Sequence, residues 1–345
     1  MRIIEAFEQQ ARSCAALGSP FMARLMLALA DLWRDPAAQQ RFARLAAKVE
    51  GFDGDLGPAG HSVPLRMAGG LHALVRAGRA PGLAAAYPPN PGPELITALA
   101  AALALQEADL CAFIDSPPQT NETGRSAVLI AAASEVVARA GLPLTLSELG
   151  ASAGLNLNFD HYGLQIGGTV WGDATSPVIL APDWAGPLPP QVPLRVLARA
   201  GVDLNPLNAQ RDGARLMAYV WPDQEARLAR MAAALTLADP PPDQGDAADW
   251  LETRLKTPWH GQCHLVFHTV AHQYFPEKVQ ARIATALEAA GACATPDAPL
   301  AWVGMEGDGL PDGAAVTLRY WPGNLHLTLG RAGFHGQWGR WQPVV

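Results

Sequence analysis

The sequence predicts an α/β protein whose sheet is mostly parallel with an antiparallel C-terminal hairpin, preceded by an all-α N-terminal domain. Three observations predict it. Apolar residues recur at helical spacing through residues 1–140: Ile3, Ile4 and Phe7, then Phe21, Leu25, Leu29 and Leu32, then Phe42, Leu45 and Val49. From Leu144 onward, short runs suited to buried strands alternate with helical ones. Near the end, Val316–Trp321 and Leu325–Leu329 flank Pro322-Gly323-Asn324, a hairpin signal. A chain of 345 residues, at about 150 per domain, suggests two domains, assigned here to 1–140 and 141–345, the second with an insertion near 163–193.

In the helical half, His61–Pro64 and Pro81–Pro93 read as loops, the latter holding Tyr87-Pro88-Pro89-Asn90-Pro91. The half ends in a polar cluster, Gln119-Thr120-Asn121-Glu122-Thr123-Gly124-Arg125-Ser126, before an apolar helix over Ala127–Ala140. Thr120 or Asn121 can cap that helix with Glu122 in its first turn. Alternatively the cluster folds over the turn that follows the next strand, and Arg125 grips a ligand carboxylate by a two-pronged hydrogen bond.

That strand and turn organise the second half. Leu144–Asp160 reads as a buried strand, a small-residue turn through Glu148-Leu149-Gly150-Ala151-Ser152-Ala153-Gly154, and an amphipathic helix. Such a turn offers backbone N–H groups to a ligand with no side chain in the way. Tyr162–Pro193, rich in Gly, Pro and Trp, is an excursion with a hairpin of its own and the length typical of lids. The next strand, Arg195–Val202, ends at Asp203, placed to accept from ribose hydroxyls or to form an Asx-turn before Pro206. The first role requires the excursion to be an insertion, because the fingerprint spacing is roughly 20 residues. Asp223 opens a helix running to Leu237. Asp246 follows a weak third strand, where it can serve as the N-cap of Ala247–Leu255.

The fourth strand, His264–Val270, leads into Ala271-His272-Gln273-Tyr274-Phe275 and a helix over Glu277–Ala290. Ligands bind outside the carboxyl ends of parallel strands, so His268, Thr269, His272 and Tyr274 stand where a substrate meets a cofactor. A neutral histidine there can take a proton from an acceptor hydroxyl or amine; a buried, satisfied histidine is the other reading. His260, His264, His268 and His272 recur every four residues, but Gly261 and the β-branched Val266, Thr269 and Val270 argue for a strand, and no metal is assigned. The fifth strand, Leu300–Met305, ends at Glu306. Nine of the ten tryptophans follow residue 170, which suits either an aromatic-lined acceptor pocket, with Trp338 and Trp341 near it, or core packing.

The E-x-G-x-S-x-G run from Glu148 to Gly154 is similar to the cofactor loop of S-adenosylmethionine (SAM) methyltransferases, with Ser152 where the usual form has glycine. The resemblance implies a Rossmann-like methyltransferase-type sheet, with Gly150, Ser152 and Gly154 cradling the amino-acid part of SAM. It places Glu148 on the amino group, Arg125 on the carboxylate, Asp203 on the ribose and Asp246 on the adenine. The same letters contain G-x-S-x-G, the nucleophile elbow of α/β-hydrolases, in which Ser152 attacks an acyl carbon and Glu306 with His326 or His335 completes a triad. The whole set QTNETGRSAVL, SELGASAGLNLNFDHYG, GVDLNPLNA, VWPDQEARLARMAAAL and VFHTVAHQYFP resembles a bacterial family known as domain of unknown function 2332, from about Phe7 to beyond Glu306. That family brings no activity with it.

Twenty-five basic against 32 acidic side chains give a net charge of −7 without long runs, which excludes the footprint for nucleic acid or anionic membrane and favours a small-molecule or protein substrate. Cys14, Cys111, Cys263 and Cys293 form no CxxC pair, as expected of reduced thiols. The N-terminus lacks the apolar core of a signal peptide, and Leu95–Leu105 is too short to span a bilayer, so a cytoplasmic protein is expected. The expected function is SAM-dependent methyl transfer to a small molecule, with an esterase or a non-catalytic SAM- or nucleotide-binding protein as alternatives.

Overall fold

The computed structural model describes residues 2–58, 60–90 and 94–342, which leaves Pro91 and Pro93 of the expected loop outside the described residues. The chain forms two compact units, residues 1–120 with 213–229, and residues 121–212 with 230–345.

The first unit is helical: α1 (Ile3–Ala16), α2 (Pro20–Arg34), α3 (Pro36–Gln40), α4 (Ala43–Glu50), α5 (Val63–Arg76), α6 (Pro81–Ala84), α7 (Leu95–Leu105) and α8 (Glu107–Phe113). The residues at helical spacing supply its core, with Phe7, Leu25, Leu29, Phe42, Leu45 and Val49 fully buried. Asp223 does not cap the helix that follows it. Its carboxylate accepts from the Ser19 hydroxyl (2.5 Å) and the Phe21 N–H (3.0 Å), reinforcing the start of α2. Residues 213–229 belong here because α5 is shaped for them. A Cβ on Gly69 would lie 2.7 Å from the Tyr219 ring, and His72 Nδ1–H donates to the Ala218 carbonyl at 3.1 Å. Among the described residues no single helix is long and apolar enough to cross a membrane.

The second unit begins with α9 (Ser126–Ala140), which packs on the sheet, so the division falls at residue 120 rather than the expected 140. Its strands are β1 (Leu144–Leu149), β2 (Gly163–Ile166), β3 (Thr169–Gly172), β4 (Ile179–Leu180), β5 (Asp183–Ala185), β6 (Val196–Asp203), β7 (Asp243–Gln244), β8 (Cys263–Thr269), β9 (Leu300–Glu306), β10 (Ala314–Trp321), β11 (Leu325–Ala332) and β12 (Trp338–Trp341). Nine of them form one sheet in the order β5-β12-β11-β10-β9-β8-β1-β6-β7. The block from β7 to β9 is parallel, and β9, β10, β11 and β12 follow as an antiparallel meander. Every residue of β1 and β8 is buried, as central parallel strands covered on both faces require. Of the remaining helices, α12 (Ala247–Arg254) and α13 (Glu277–Ala292) lie in this unit, while α10 (Ala209–Ala218) and α11 (Glu225–Leu237) run across the ends of segment 213–229.

Two expectations change. The excursion forms its own small sheet in the order β3-β2-β4, then sends β5 to pair with β12 at the far edge of the main sheet, with Trp184 against Trp341 at 5.2 Å. It is therefore an edge cover, and Trp341 serves packing. The amphipathic helix after Gly154 is instead a 3₁₀ run, Asn156–His161. Asn156, Leu157, Asn158 and Phe159 are all buried and only Asp160 and His161 at the end reach solvent, so the segment lacks the solvent face an amphipathic helix needs along its length. Asn158 Nδ2–H donates to the Gly154 carbonyl and the Tyr162 hydroxyl to the Leu155 carbonyl, closing the run.

Candidate active site

Parallel pairing carries the ends of β1, β6, β7, β8 and β9 to one edge, and the chain order reverses between β1 and β8, where open sheets make a crevice. A cleft there is lined by Gly150, Asp203, Asp246 and Phe275 among others, with a volume of about 90 Å³. It unites the glycine turn with both expected cofactor acids. One wall is the Ala271–Pro276 turn between β8 and α13. A Cβ on Gly150, whose φ is +71°, would lie 2.6 Å from the Ala271 methyl carbon.

The donors of the glycine turn are already engaged. The N–H groups of Gly150 and Ala151 donate to the Val202 carbonyl, and Gly154 N–H donates to the Ala151 carbonyl. Ser152 N–H donates to Asp203 Oδ2 at 2.9 Å, and those of Ala153 and Leu155 donate to Asn121 Oδ1 at 3.3 and 2.8 Å. The polar cluster thus folds over the turn through Asn121, while capping falls to Glu122, which accepts from the Gly124 N–H. Asp203 Oδ1 accepts from the Asn205 N–H, completing an Asx-turn. Asp246 caps α12, accepting from the N–H groups of Ala248 and Asp249. Arg125 donates to the carbonyls of Phe334 (2.8 Å) and Thr269 (3.0 Å), so part of its fork ties two segments together.

Glu148 is 2% exposed and its Oε2 has no hydrogen-bond partner. Burial, reinforced by the Asp203 charge, pushes its carboxyl well above the usual range, against the opposing pull of Arg125 and the Leu157 N–H. Ser152 holds φ at +54° and its buried Oγ is also without a partner. That backbone strain suits a nucleophile elbow, but among the described residues no base reaches the hydroxyl.

Beside the cleft, Glu306 organises the end of β8. Its Oε1 accepts from His268 Nδ1–H (2.7 Å) and the N–H groups of Ala271 (3.1 Å) and His272 (3.2 Å), and its Oε2 from the Gln273 N–H (3.3 Å). Burial raises the Glu306 pKa, but the His268 contact and the backbone donors outweigh it and leave the carboxyl below its ordinary range. Trp302 Nε1, which can only donate, gives its hydrogen to His268 Nε2 at 2.9 Å. This fixes the Nδ1–H tautomer and occupies the His268 lone pair, so His268 positions its neighbours. His272 stacks on His268 at 4.7 Å and meets Phe275 and Trp302 at 5.7 and 6.2 Å. Its Nε2 is buried without a partner, and burial, then the neighbouring His268, holds its pKa down at about 4. Tyr274, on the same turn, is 74% exposed and stands apart from the cleft. Val270, a β-branched residue at φ +50°, forms the corner that starts this turn.

Beside His268 and Trp302, a hollow of about 370 Å³ opens on the face of β8, β9, β10 and β11. It is lined by His268, Trp302, Thr317, Arg319, His326 and Thr328 over the bare Gly304. Apart from the two histidines, these residues are absent from the sequence reading. The alternation Thr317, Arg319 and His326, Thr328 on a hairpin was the available signal, since period two puts each pair on one face. The four regularly spaced histidines separate: His260 pairs with Asp297, His264 with Ser147, and only His268 and His272 touch. The expected triad is not assembled, because Glu306 holds His268 and His326 contacts Asn324.

The chain belongs to a family described as uncharacterized protein conserved in bacteria (DUF2332), whose profile matches residues 4–341. No curated protein and no solved structure matches it.

Proposed function

We propose that this family member is a SAM-dependent methyltransferase acting on a small-molecule acceptor. The observation that carries the reading is one histidine in contact with a wall residue of each of two cavities. His272, with a neutral ring and an unpartnered Nε2, meets Phe275, which lines the cleft with Gly150, Asp203 and Asp246, and meets His268 and Trp302, which line the hollow on the β8–β11 face. The cleft's residues fit the adenosyl part of SAM: carboxylates for hydroxyl and amino groups and the Phe275 ring for a flat base. The orphaned Glu148 Oε2 suits a ligand ammonium. Its volume of about 90 Å³ is below the roughly 300 Å³ at which small-molecule sites begin, so loading requires the Ala271–Pro276 turn to swing away from Gly150.

SAM, when bound, supplies an electrophilic methyl group. The protein's share is to align the acceptor and accept its proton. His272 Nε2 takes that proton; the ring is held by stacking on His268 and by an edge contact with Trp302, and Glu306 holds the His272 backbone N–H. Low pKa keeps His272 unprotonated at neutral pH, ready to accept but a weak base, so positioning supplies most of the rate.

Calorimetric titration with SAM and S-adenosylhomocysteine tests this. Micromolar binding to wild type, weakened about tenfold or more in Asp203→Asn and Phe275→Ala, is expected. A folded wild-type protein that binds neither compound refutes it. Binding without transfer to any acceptor would leave a SAM-binding protein.

A further inference from the structure

The hollow on the β8–β11 face is built by register. Across the antiparallel strands, Trp302 pairs with Arg319 and Arg319 with His326, while Gly304 pairs with Thr317 and Thr317 with Thr328. Two ranks of polar and aromatic side chains therefore stand on one sheet face. Gly304 lets them close in: a Cβ there would lie 3.0 Å from His268 Cε1 and 3.3 Å from Thr317 Oγ1, so both side chains pack over its bare Cα.

Arg319 supplies the charge. Its Nη1–H donates to Glu288 Oε1 at 2.8 Å and its Nη2–H to Asn324 Oδ1 at 2.9 Å, with the guanidinium 4.6 Å from the Trp321 ring centre. Its Nε–H is buried and has no acceptor. Glu288 is 59% exposed, so it offsets the guanidinium charge only in part. The remaining partial positive charge, one orphan donor and the Thr317 and Thr328 hydroxyls suit a monoanion better than a dianion.

We propose that the hollow binds a small organic monocarboxylate, one oxygen on Arg319 Nε–H, the other on the threonine hydroxyls, and the body against Trp302. On the methyl-transfer reading, on which this step rests, the molecule is the acceptor, held against Trp302 and His268, the ring neighbours of His272.

Ligand-observed NMR titration of the full chain with benzoate, benzamide and phenylphosphonate, without SAM, tests it. Benzoate should bind about tenfold more tightly than the neutral amide or the dianionic phosphonate. Arg319→Gln should weaken benzoate about tenfold and Thr317→Val about threefold, with melting temperature showing each variant folded. Equal affinity for the amide, tighter binding of the phosphonate, or no benzoate binding overturns the proposal. So does unchanged benzoate affinity in either folded variant, and Thr317→Val alone decides if Arg319→Gln fails to fold. Benzoate binding in a protein that ignores SAM would keep the carboxylate site and remove the methyl-transfer reading; SAM binding without benzoate would remove the carboxylate site alone.

Discussion

His264 shows how a buried side chain sets pH response. It lies 4% exposed on β8, and the Ser147 hydroxyl, which accepts from Arg254 Nε–H at 2.6 Å, spends its own hydrogen on His264 Nε2 at 2.7 Å. Burial, with the Arg254 charge adding to it, pushes the imidazole down to about 3. In the unfolded chain it titrates near about 6.5. Below that pH the unfolded state takes up a proton that the folded state refuses. Stability present at pH 7 is thus lost as pH falls from 6.5 toward 3, at up to about 1.4 kcal/mol per pH unit. His72, held down at about 4 chiefly by its burial, adds in the same direction. Urea midpoints at pH 7 and pH 5 should show His264→Asn losing about 1–2 kcal/mol less than wild type between them. An equal loss in both would contradict the assignment.

At the scale of elements, the turn between β8 and α13 is held by one carboxylate rather than by its own sequence. Val270 at φ +50° costs about 1–2 kcal/mol, which the four donors on Glu306 offset. Glutamine in its place keeps one acceptor oxygen and presents an amide to the other donors. Glu306→Gln is expected to destabilise the protein by about 2 kcal/mol or more and to speed hydrogen exchange at Ala271, His272 and Gln273 by about tenfold. Exchange that stays as slow as in wild type would mean the turn is held by something else. Because this turn lines the cleft and bears His272, the same change should alter ligand binding at a distance from Glu306 itself.

At the scale of the molecule, each unit has its own core, yet the first is discontinuous. Residues 1–120 alone leave Gly69 facing the space of the missing Tyr219 ring, and His72 without the Ala218 carbonyl. A fragment of residues 1–120 is therefore expected to be loosely packed and to bind the dye ANS, and a peptide of residues 209–229 added in trans should suppress that signal. A fragment that is tightly folded without the peptide would show that the segment is dispensable.

The sequence by itself determined what is local. Helical spacing in the first 140 residues, β-branched runs, and the hairpin around Pro322-Gly323-Asn324 specified elements through short-range geometry, and the strand ends at Glu148, Asp203, His268 and Glu306 were legible for the same reason. Tertiary structure decided what depends on partners far along the chain. Asp223 serves α2, Asn121 spends its oxygen on the glycine turn, and Glu306 belongs to His268. The run after Gly154 reads as an amphipathic helix but is buried from Leu155 to Phe159, because burial depends on what packs around a segment and not on its own periodicity. The hollow beside Arg319 exists only once three strands fix their register, since side chains from β9, β10 and β11 become neighbours through backbone pairing and not through sequence separation.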